Sequence, residues 1–497
     1  MPNTLGTGRT LTPLVATMRF ITLLFLLSLA CWPAFPQEYD LVVQGGRVLD
    51  PETGLDGILN VAIRGNKIAR ISAEPIPAKR SINATGLIVA PGFIDLHQHG
   101  QDLDSGRVKA FDGVTTALEM EIGVPDVSEF LGRKQGRSLI HYGTSASHPA
   151  ARALAFGTGI AEGGIVPKAG VATDQPATSA QIRQITDRLR KELSAGGLGI
   201  GMGIQYTPGA TRLEVIQMFR LAAETRVPVF THVRSAGRLE PGSSIEAVSE
   251  VIGAAAVTGA SLHIVHINSS CLQDGLECLA MVGGARARGI DVTTEAYPYT
   301  AGMTDITSAL FNPGWREKFG IDYSALLLPD TGERLTKQRF EELHASPQPR
   351  LVVMFNNTQE MVDRVIPNSL VMIASDGLKG HPRNAGTYSR VLAQYVRERG
   401  TLTLMDAIRK MTLMPAERLE RSTPAARSKG RMQEGADADM VVFDLETIID
   451  RATYQSPMEP STGVRYLVVG GAVLIDQGKL VPDIFPGRPL LGARVGP

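Results

Sequence analysis

Two histidines, His97 and His99, stand one residue apart in the segment PGFIDLHQHGQD at residues 91–102, directly after a short apolar run. The apolar run predicts a short buried strand. Successive side chains on a strand point to opposite faces, so two histidines spaced by two residues point the same way. Both imidazoles can then reach the same metal ion.

Further polar residues stand at or near the ends of other short apolar segments: Glu119, Glu121, His232, His266 and Asp376. A lone histidine at a strand end is more often structural than a metal ligand. Four histidines together with carboxylates at the same end of different strands are hard to explain without a metal. Imidazole and carboxylate donors without thiolate favour Zn²⁺ first and another divalent transition metal next.

The elements that must position these residues are short apolar strands that alternate with helical stretches. Eight such strands are predicted, at residues 93–99, 114–122, 138–143, 198–204, 227–232, 261–267, 290–296 and 370–376. This pattern predicts an α/β fold, a (β/α)₈ TIM-like barrel whose C-terminal face carries the polar residues. The segment RLVVMF at 350–355 has no place in this count and predicts an insertion around residues 300–365.

Both ends of the chain have a β pattern. Residues 39–72 alternate in strand fashion, with Gly65 and Asn66 at a two-residue hairpin turn. The segment VRYLVVGGAVLIDQGKLV repeats that character near the C-terminus. We therefore expect residues 37–92 and 430–497 to build one small β-sandwich domain, and residues 93–429 to form the barrel domain.

The N-terminal segment is typical of a secretory signal. FITLLFLLSLA at residues 20–30 is nearly all apolar, follows Arg19, and is too short to span a bilayer comfortably. We expect residues 1–36 to be a signal peptide, which predicts a periplasmic or secreted protein with no membrane span after its removal; translation could also start at Met18. The residues before Cys31 only loosely resemble a lipoprotein acceptor site, so lipid anchoring is disfavoured.

Neither the remaining cysteines nor the charge balance indicates a disulfide or a nucleic acid partner. Cys271 and Cys278 lie seven residues apart on a predicted helix, roughly 10 Å along its axis, which is too far for a disulfide. Lys plus Arg (50) equal Asp plus Glu (50), so nothing in the charge suggests a nucleic acid partner. A small-molecule substrate is expected, and the sequence is compatible with an oligomer.

An ordered set of motifs resembles the amidohydrolase superfamily, and within it the N-acyl-D-amino-acid deacylases (D-aminoacylases), most closely the D-glutamate deacylases. The motifs are YDLVVQGGRVLDPETG, the H-x-H pair, GVTTALEMEIG, FTHVR, HIVHINSS, TEAYPYTAG, IASDG, HPRNAGTYSRVLAQYVRERG and GADADMVVFD. They run from residue 39 to residue 444, which is nearly the whole predicted mature chain.

The resemblance implies roles for the polar residues. It assigns His97, His99 and Asp376 to one metal position, and it completes a second position with His232 and His266. A residue of the second strand bridges the two positions in this family. Relatives with a well-studied site use a cysteine there, but this sequence offers Glu119 and Glu121, of which Glu121 lies closer to the expected place.

The resemblance also implies how a substrate is held. Arg383 in HPRNAG matches an arginine that binds the substrate carboxylate, and Tyr297 in EAYPYTAG matches a tyrosine that helps to hold the same group. Asn268 stands where many relatives have lysine, so this carboxylate clamp is expected to differ. His263 has the opposite strand parity to His266 and is expected to point toward the outer helices.

These residues predict a hydrolase of linear amides that cleaves N-acyl-D-amino acids, with N-acyl-D-glutamate among the expected substrates, and that uses one or two Zn²⁺ ions or another divalent metal. Asp376 would be the catalytic acid and base. One alternative is a cyclic amide hydrolase of the dihydroorotase or hydantoinase type. These relatives use a lysine on a later strand, and the segment LGIGMGIQYTP contains none. A non-catalytic scaffold is a weaker alternative, because the predicted ligand set is complete.

Overall fold

The computed structural model describes residues 38–162 and 164–493. The predicted signal peptide and Cys31 lie outside the described residues, so export stays a prediction. Within the described residues, no helix combines the length and the apolar character needed to cross a membrane.

Strands from both ends of the chain come together in one β region, as predicted, and they form a single nine-stranded sheet. Its strands are β1 (Tyr39–Asp50), β2 (Leu55–Arg64), β3 (Lys67–Ser72), β4 (Ala78–Asn83), β5 (Ile88–Pro91), β17 (Met440–Phe443), β18 (Val464–Val469), β19 (Ala472–Asp476) and β20 (Lys479–Leu480). The order is β20-β19-β18-β17-β5-β1-β2-β3, and β4 pairs with β1. Strand β17 joins the two ends of the chain, since it pairs with both β5 and β18.

Two turns of this sheet approach each other so closely that only glycine fits at one position. Gly65 lies in the predicted hairpin turn between β2 and β3, and Gly471 lies in the turn between β18 and β19. A Cβ atom on Gly471 would meet the carbonyl oxygen of Gly65 at 1.9 Å, and its φ of +82° also suits glycine. The two ends of the chain therefore pack tightly at these turns.

Eight parallel strands form the barrel, and each matches one of the predicted segments. They are β6 (Phe93–Asp95), β7 (Val114–Val124), β8 (His141–Ser147), β9 (Ile200–Gly203), β10 (Val229–His232), β11 (Leu262–Ile264), β12 (Val292–Ala296) and β16 (Val371–Ile373), hydrogen-bonded in chain order. The first and last segments meet beyond the strands, where the backbone N–H of His99 donates to the carbonyl oxygen of Gly377 at 3.0 Å. The predicted (β/α)₈ barrel is confirmed.

Several helices bury an apolar face against the outside of the barrel. The helix at Ser179–Ser194 shows the pattern: it buries Ile185, Leu189 and Leu193 at a spacing of four, and two reciprocal hydrogen bonds between Thr178 and Gln181 cap its first turn. The helices are α1 (Leu103–Phe111), α2 (Val127–Lys134), α3 (His148–Ala155), α4 (Val171–Asp174), α5 (Ser179–Ser194), α6 (Arg212–Thr225), α7 (Ser244–Thr258), α8 (Ile267–Cys271), α9 (Gly275–Ala287), α10 (Trp315–Phe319), α11 (Lys337–Ala345), α12 (Gln359–Val365), α13 (Arg383–Arg390), α14 (Leu404–Met411) and α15 (Leu413–Leu419). A π-helix at Val391–Glu398 continues α13, and short 3-10 helices occur at Ile204–Tyr206, Leu272–Asp274, Ala309–Phe311, Tyr323–Ala325 and Pro424–Ser428.

The predicted insertion between β12 and β16 is present and has its own sheet. Strands β13 (Ala301–Asp305), β14 (Leu326–Leu327) and β15 (Leu351–Phe355) pair antiparallel, with β15 in the centre. The segment RLVVMF, which had no place in the barrel, supplies β15. A hydrophobic cluster that includes Phe311, Trp315 and Phe340 forms the core of the insertion and reaches Ile122 at the end of β7. The insertion therefore packs directly above the barrel's C-terminal face.

The expectation for the two cysteines is wrong, because Cys271 and Cys278 form a disulfide. Their Cα atoms lie 6.6 Å apart, and not the roughly 10 Å that a continuous helix would give. The helix breaks between them: α8 ends at Cys271, Leu272 has a left-handed φ of +47°, and α9 begins at Gly275. This break shortens the separation to one that a disulfide can span.

Candidate metal centre and active site

The polar residues predicted at the strand ends come together at the C-terminal face of the barrel. His97 and His99 follow β6, Glu121 lies on β7, and His232 ends β10. His266 and Asp376 stand just beyond β11 and β16 and have φ values of +29° and +50°. Non-glycine residues rarely adopt positive φ, and such strained positions cluster at functional sites.

The Glu121 carboxylate is the centre of this cluster. Its Oε1 lies 2.8 Å from Nδ1 of His232 and 2.9 Å from Nε2 of His266. Its Oε2 lies 3.1 Å from Nε2 of His97 and 3.1 Å from Nε2 of His99. One carboxylate oxygen thus faces each pair of histidines. This is the arrangement expected of a group that bridges two metal positions.

Two overlapping sets of donors could hold a metal ion. One set consists of His97, His99, Glu121 and Asp376, and the other of Glu121, His232 and His266; within each set the donor atoms lie within 4.8 Å of one another. All of these side chains are nearly inaccessible to solvent. The structure therefore gathers every predicted ligand into one site. Their individual roles as ligands stay predictions.

The electrostatics of the cluster fit a cation. Burial lowers the pKa of His97, but neighbouring carboxylates, led by Asp376, outweigh burial and raise the pKa to about 10. The pKa of His99 is also raised well above its usual value: burial opposes the rise, and the carboxylate of Glu119 contributes most to it. Without a metal the cluster must hold extra protons to balance its carboxylates. A divalent ion would supply that positive charge, so the donors fit the predicted metal.

Carboxylates behind the first two histidines fix their orientation. Nδ1 of His99 lies 2.6 Å from Oε2 of Glu119, and Nδ1 of His97 lies 2.6 Å from Oε1 of Glu295. A carboxylate on Nδ1 leaves Nε2 free to face the metal. Glu119 thus contacts the rear of one ligand, while Glu121 lies among all four histidines. This favours Glu121 as the bridging carboxylate.

Sequence reasoning missed Glu295 and misplaced His263. The other carboxylate oxygen of Glu295 lies 3.1 Å from Nε2 of His263, and Nδ1 of His263 lies 2.7 Å from the hydroxyl of Thr293. The expectation that His263 points toward the outer helices is wrong, because its ring contacts Glu295 and packs against Phe230. The prediction assumed that the side chains from His263 to His266 alternate along one strand. It failed because His266 stands beyond the strand end, where this alternation stops.

Gln205 is a second residue that sequence reasoning did not select. Its Oε1 lies 2.5 Å from Nε2 of His232, on the side opposite Glu121. Gln205 lies in the 3-10 turn that follows β9. Its only sequence signal is its place just after a barrel strand, where polar residues tend to be functional. The side chain that faces the cluster after β9 is therefore an amide, and not the lysine expected of a cyclic amide hydrolase.

Arg383 and Tyr297 lie beside Asp376. Nη2 of Arg383 is 2.8 Å from Oδ2 of Asp376, and the guanidinium carbon stands 4.6 Å from the centre of the Tyr297 ring. Arg383 is fully buried, and this ion pair with Asp376 is the only polar contact of its guanidinium within the described residues. The side chain of Asn268 donates to the carbonyl oxygen of Tyr297 at 3.1 Å, so it braces the tyrosine. The other N–H groups of this buried guanidinium are suited to a carboxylate.

Two other histidines that could have supported the site lie elsewhere. His141 contacts Asp439 at 2.9 Å, and its Nδ1 accepts from the backbone N–H of Arg488 at 3.0 Å. His148 contacts Glu214 at 2.9 Å. Both side chains fix packing between elements and have no contact with the metal cluster.

Comparisons with known proteins identify the family of this chain. Residues 88–474 match the Amidohydrolase family, and the chain belongs to that family. An N-acyl-D-glutamate deacylase from Alcaligenes xylosoxydans xylosoxydans is 30% identical over 91% of this chain and 96% of that protein. A D-aminoacylase from the same organism is 28% identical over 88% of this chain and 94% of that protein.

A solved structure of an N-acyl-D-glutamate deacylase from Bordetella bronchiseptica is also similar. It has a TM-score of 0.77 and 26% sequence identity, and it covers 92% of this chain and 100% of its own. That protein was crystallised with zinc and a phosphonate inhibitor that mimics the tetrahedral intermediate of its reaction.

Proposed function

We propose that this protein is a metal-dependent hydrolase that cleaves the amide bond of N-acyl-D-amino acids. The observation that carries the proposal is the Glu121 carboxylate, which lies among four histidines with Asp376 beside them. Support for the substrate class comes from the relatives named N-acyl-D-glutamate deacylase and D-aminoacylase, which align over nearly the whole chain.

Zn²⁺ is the metal we propose for the cluster. The donors are imidazole nitrogens and carboxylate oxygens without thiolate, which suits zinc. The similar Bordetella bronchiseptica structure contains zinc. When bound, such an ion supplies a Lewis acid that acidifies water and polarises the scissile carbonyl.

Asp376 is placed to move the proton. Its Oδ1 lies 3.4 Å from Nε2 of both His97 and His99, beside the first pair of histidines. Burial raises the pKa of Asp376, but Arg383 and the neighbouring histidines hold it well below its usual value, so the carboxylate is ionised at neutral pH. An ionised carboxylate here can accept a proton from the attacking water and then donate it to the leaving nitrogen.

Arg383 and Tyr297 would hold the α-carboxylate of the substrate. The guanidinium already lies 2.8 Å from Asp376, so a carboxylate bound to its remaining N–H groups would stand close to the proton carrier. That position places the neighbouring amide beside the cluster. Asn268 takes the place of the lysine found in many relatives, so Arg383 is the main cation of this clamp.

The cyclic amide hydrolases are a poorer match to the site. Those enzymes use a lysine as the bridging group on a later strand, whereas Glu121 of β7 occupies the bridging place here. Gln205 faces the cluster after β9. A non-catalytic scaffold is disfavoured because all the predicted ligands come together.

We also propose that the protein is exported to the periplasm or secreted. The support is the apolar segment at residues 20–30 after Arg19, which has the length of a signal peptide. Fractionation of cells that express the full chain, with N-terminal sequencing of the product, tests this proposal. Cleavage near residue 36 supports it, and an intact cytoplasmic product contradicts it.

A hydrolysis screen tests the activity. Purified, zinc-loaded protein would be given N-acetyl, N-formyl and N-succinyl derivatives of D- and L-amino acids, together with dihydroorotate and hydantoins. We expect release of free D-amino acid, with little from the L-enantiomers. Turnover of the cyclic amides alone would replace the proposal by the alternative.

A further inference from the structure

The barrel has a seam between its first strand, β6, and its last strand, β16. These strands are the two ends of the eight-stranded sheet, and within the described residues no ladder of backbone hydrogen bonds joins them. His97 follows β6 and Asp376 follows β16, so two predicted ligands of one metal position stand on opposite sides of the seam. The contacts that join the two sides therefore set the distance between these ligands.

A buried carboxylate, that of Asp95 at the end of β6, joins the two sides of the seam. Its Oδ1 accepts from the backbone N–H of His97 at 3.2 Å and from that of Ser375 at 3.0 Å. Its Oδ2 accepts from the hydroxyl of Ser375 at 2.5 Å. One side chain thus holds both the backbone of His97 and the residue directly before Asp376.

Lys109 of α1 balances the charge of this carboxylate. Its Nζ lies 2.8 Å from Oδ2 of Asp95, and both side chains are fully buried. A single buried charge is costly, and a partner of opposite charge together with hydrogen bonds offsets that cost. An ionised carboxylate accepts hydrogen bonds on both of its oxygens. Lys109 therefore allows Asp95 to bond to both sides of the seam.

The backbone of Asp376 depends on such support. Its φ of +50° is uncommon for a residue other than glycine, and strained positions of this kind persist only where neighbouring contacts hold them. The residue before it, Ser375, is held by Asp95. After it, the backbone N–H of Gly377 donates to the carbonyl oxygen of His97 at 3.2 Å. Asp376 is therefore fixed on both sides to the segment that carries His97.

We propose that Asp95 is a positioning residue of the active site, which sets the distance between His97 and Asp376 across the seam. Lys109 acts with it by balancing its charge. This inference rests on the proposed function and adds to it a residue outside the set of predicted ligands. Nε2 of His97 and Oδ1 of Asp376 lie 3.4 Å apart. A displacement of about 1 Å in a catalytic group can lower a rate by about 10²-fold.

A double variant that removes both charges tests the proposal. Asp95→Asn with Lys109→Met leaves no unpaired charge in the interior. We expect it to lower kcat of the zinc-loaded protein by about 10- to 100-fold, with a much smaller change in KM, because the seam positions the reacting groups and does not contact the substrate. The substrate is the N-acyl-D-amino acid that the hydrolysis screen identifies.

Asp439→Asn with Lys429→Met is the matched control. These residues form another buried Lys–Asp pair, 2.6 Å apart, and Asp439 likewise accepts from a backbone N–H group, that of Gly470 at 2.7 Å. Both double variants should unfold at a lower temperature than the wild type, because each loses a buried ion pair with its hydrogen bonds. The control should keep kcat within about threefold of the wild type, since Asp439 and Lys429 hold no residue next to a predicted ligand.

Crystal structures of the wild type and the Asp95 variant, grown under the same conditions, provide a measurement that does not depend on activity. We expect the distance between Nε2 of His97 and Oδ1 of Asp376 to change by about 0.5 Å or more, which is the tolerance of a productive site. Ser375→Ala removes only the hydroxyl bond to Asp95 and serves if the double variant does not fold. We expect it to lower kcat by about tenfold.

The possible failures are distinguishable. If the Asp95 variant keeps both the wild-type kcat and the wild-type distance, or if the two double variants lose kcat equally, Asp95 is merely structural and the inference is overturned. If the wild-type protein hydrolyses no N-acyl-D-amino acid, the proposed function is overturned, and the distance alone then decides whether Asp95 positions His97 and Asp376.

Discussion

Replacing Glu121 by glutamine keeps the shape of the side chain and removes its negative charge. The carboxylate lies 2.8–3.1 Å from a nitrogen of each of the four histidines, so any metal held by those nitrogens lies close to it. Two unit charges about 4 Å apart attract by about 4 kcal/mol at an effective dielectric constant of about 20. Since about 1.4 kcal/mol is a factor of ten, Glu121→Gln should weaken zinc binding by about 10³-fold.

Glu119→Gln is the matched control, because it makes the same chemical change two residues earlier on the same strand. Among the four histidines Glu119 contacts only His99, at its rear nitrogen at 2.6 Å, and it also accepts from two backbone N–H groups. Loss of such a supporting carboxylate typically weakens metal binding by about 10- to 100-fold.

The assay is a competition titration of metal-stripped protein against a chromophoric zinc chelator. Circular dichroism of each variant would show whether the fold is intact. An equal loss of affinity in the two variants would mean that the carboxylates act as one network. A larger loss in Glu119→Gln would refute the assignment of Glu121 as the bridging group.

Three further predictions follow from the site. Asp376→Asn should retain most of the metal and lower kcat by about 10²-fold or more, because the proton carrier is lost; metal analysis with steady-state kinetics checks this, and near-normal turnover would contradict it. Glu295→Gln should weaken zinc binding by about 10- to 100-fold, because His97 loses the carboxylate on its Nδ1; unchanged affinity in the chelator titration would make Glu295 merely structural. Zinc binding should release protons and should strengthen as pH rises from about 6 to 9. The reason is that the pKa of His97, raised to about 10, leaves this histidine protonated in the metal-free protein, so the metal must displace that proton. Calorimetry in buffers of different ionisation enthalpy measures the release, and a pH-independent affinity would count against His97 as a ligand.

The barrel and the residues of its candidate metal site could be predicted from the sequence because both depend on local patterns. Each barrel strand is a short apolar segment, and polar residues stand out at the ends of such segments. Glu121 and His232 were found in this way. The chain-end sheet was predicted for the same reason, since its alternation and turn residues are local. The exact boundaries between the parts of the chain stay predictions.

The errors arose where the backbone leaves regular geometry without a sequence signal. Leu272 adopts a positive φ although leucine seldom does, so nothing in the sequence marked the helix break that lets Cys271 pair with Cys278. His266 stands beyond its strand with a φ of +29°, so strand parity could not place it relative to His263.

Glu295 was missed for a different reason. It is an acidic residue near the end of β12, so the criterion that selected Glu121 also applied to it. Its contact with His97 joins residues 198 positions apart in the chain. Only the closed barrel brings these two side chains together, and the sequence pattern does not show which strand ends face each other.

The most direct test of the central claim is the rate of N-acyl-D-amino acid hydrolysis during zinc return to metal-stripped protein. N-acetyl-D-methionine, N-acetyl-D-glutamate and the L-enantiomer of each would be assayed at each addition, with bound zinc measured in the same samples. We expect no turnover in the stripped protein, a rise to a plateau at one or two bound zinc ions per chain, and little hydrolysis of the L-enantiomers. Full activity without metal, or no activity on any N-acyl-D-amino acid after zinc has bound, would contradict the proposed function.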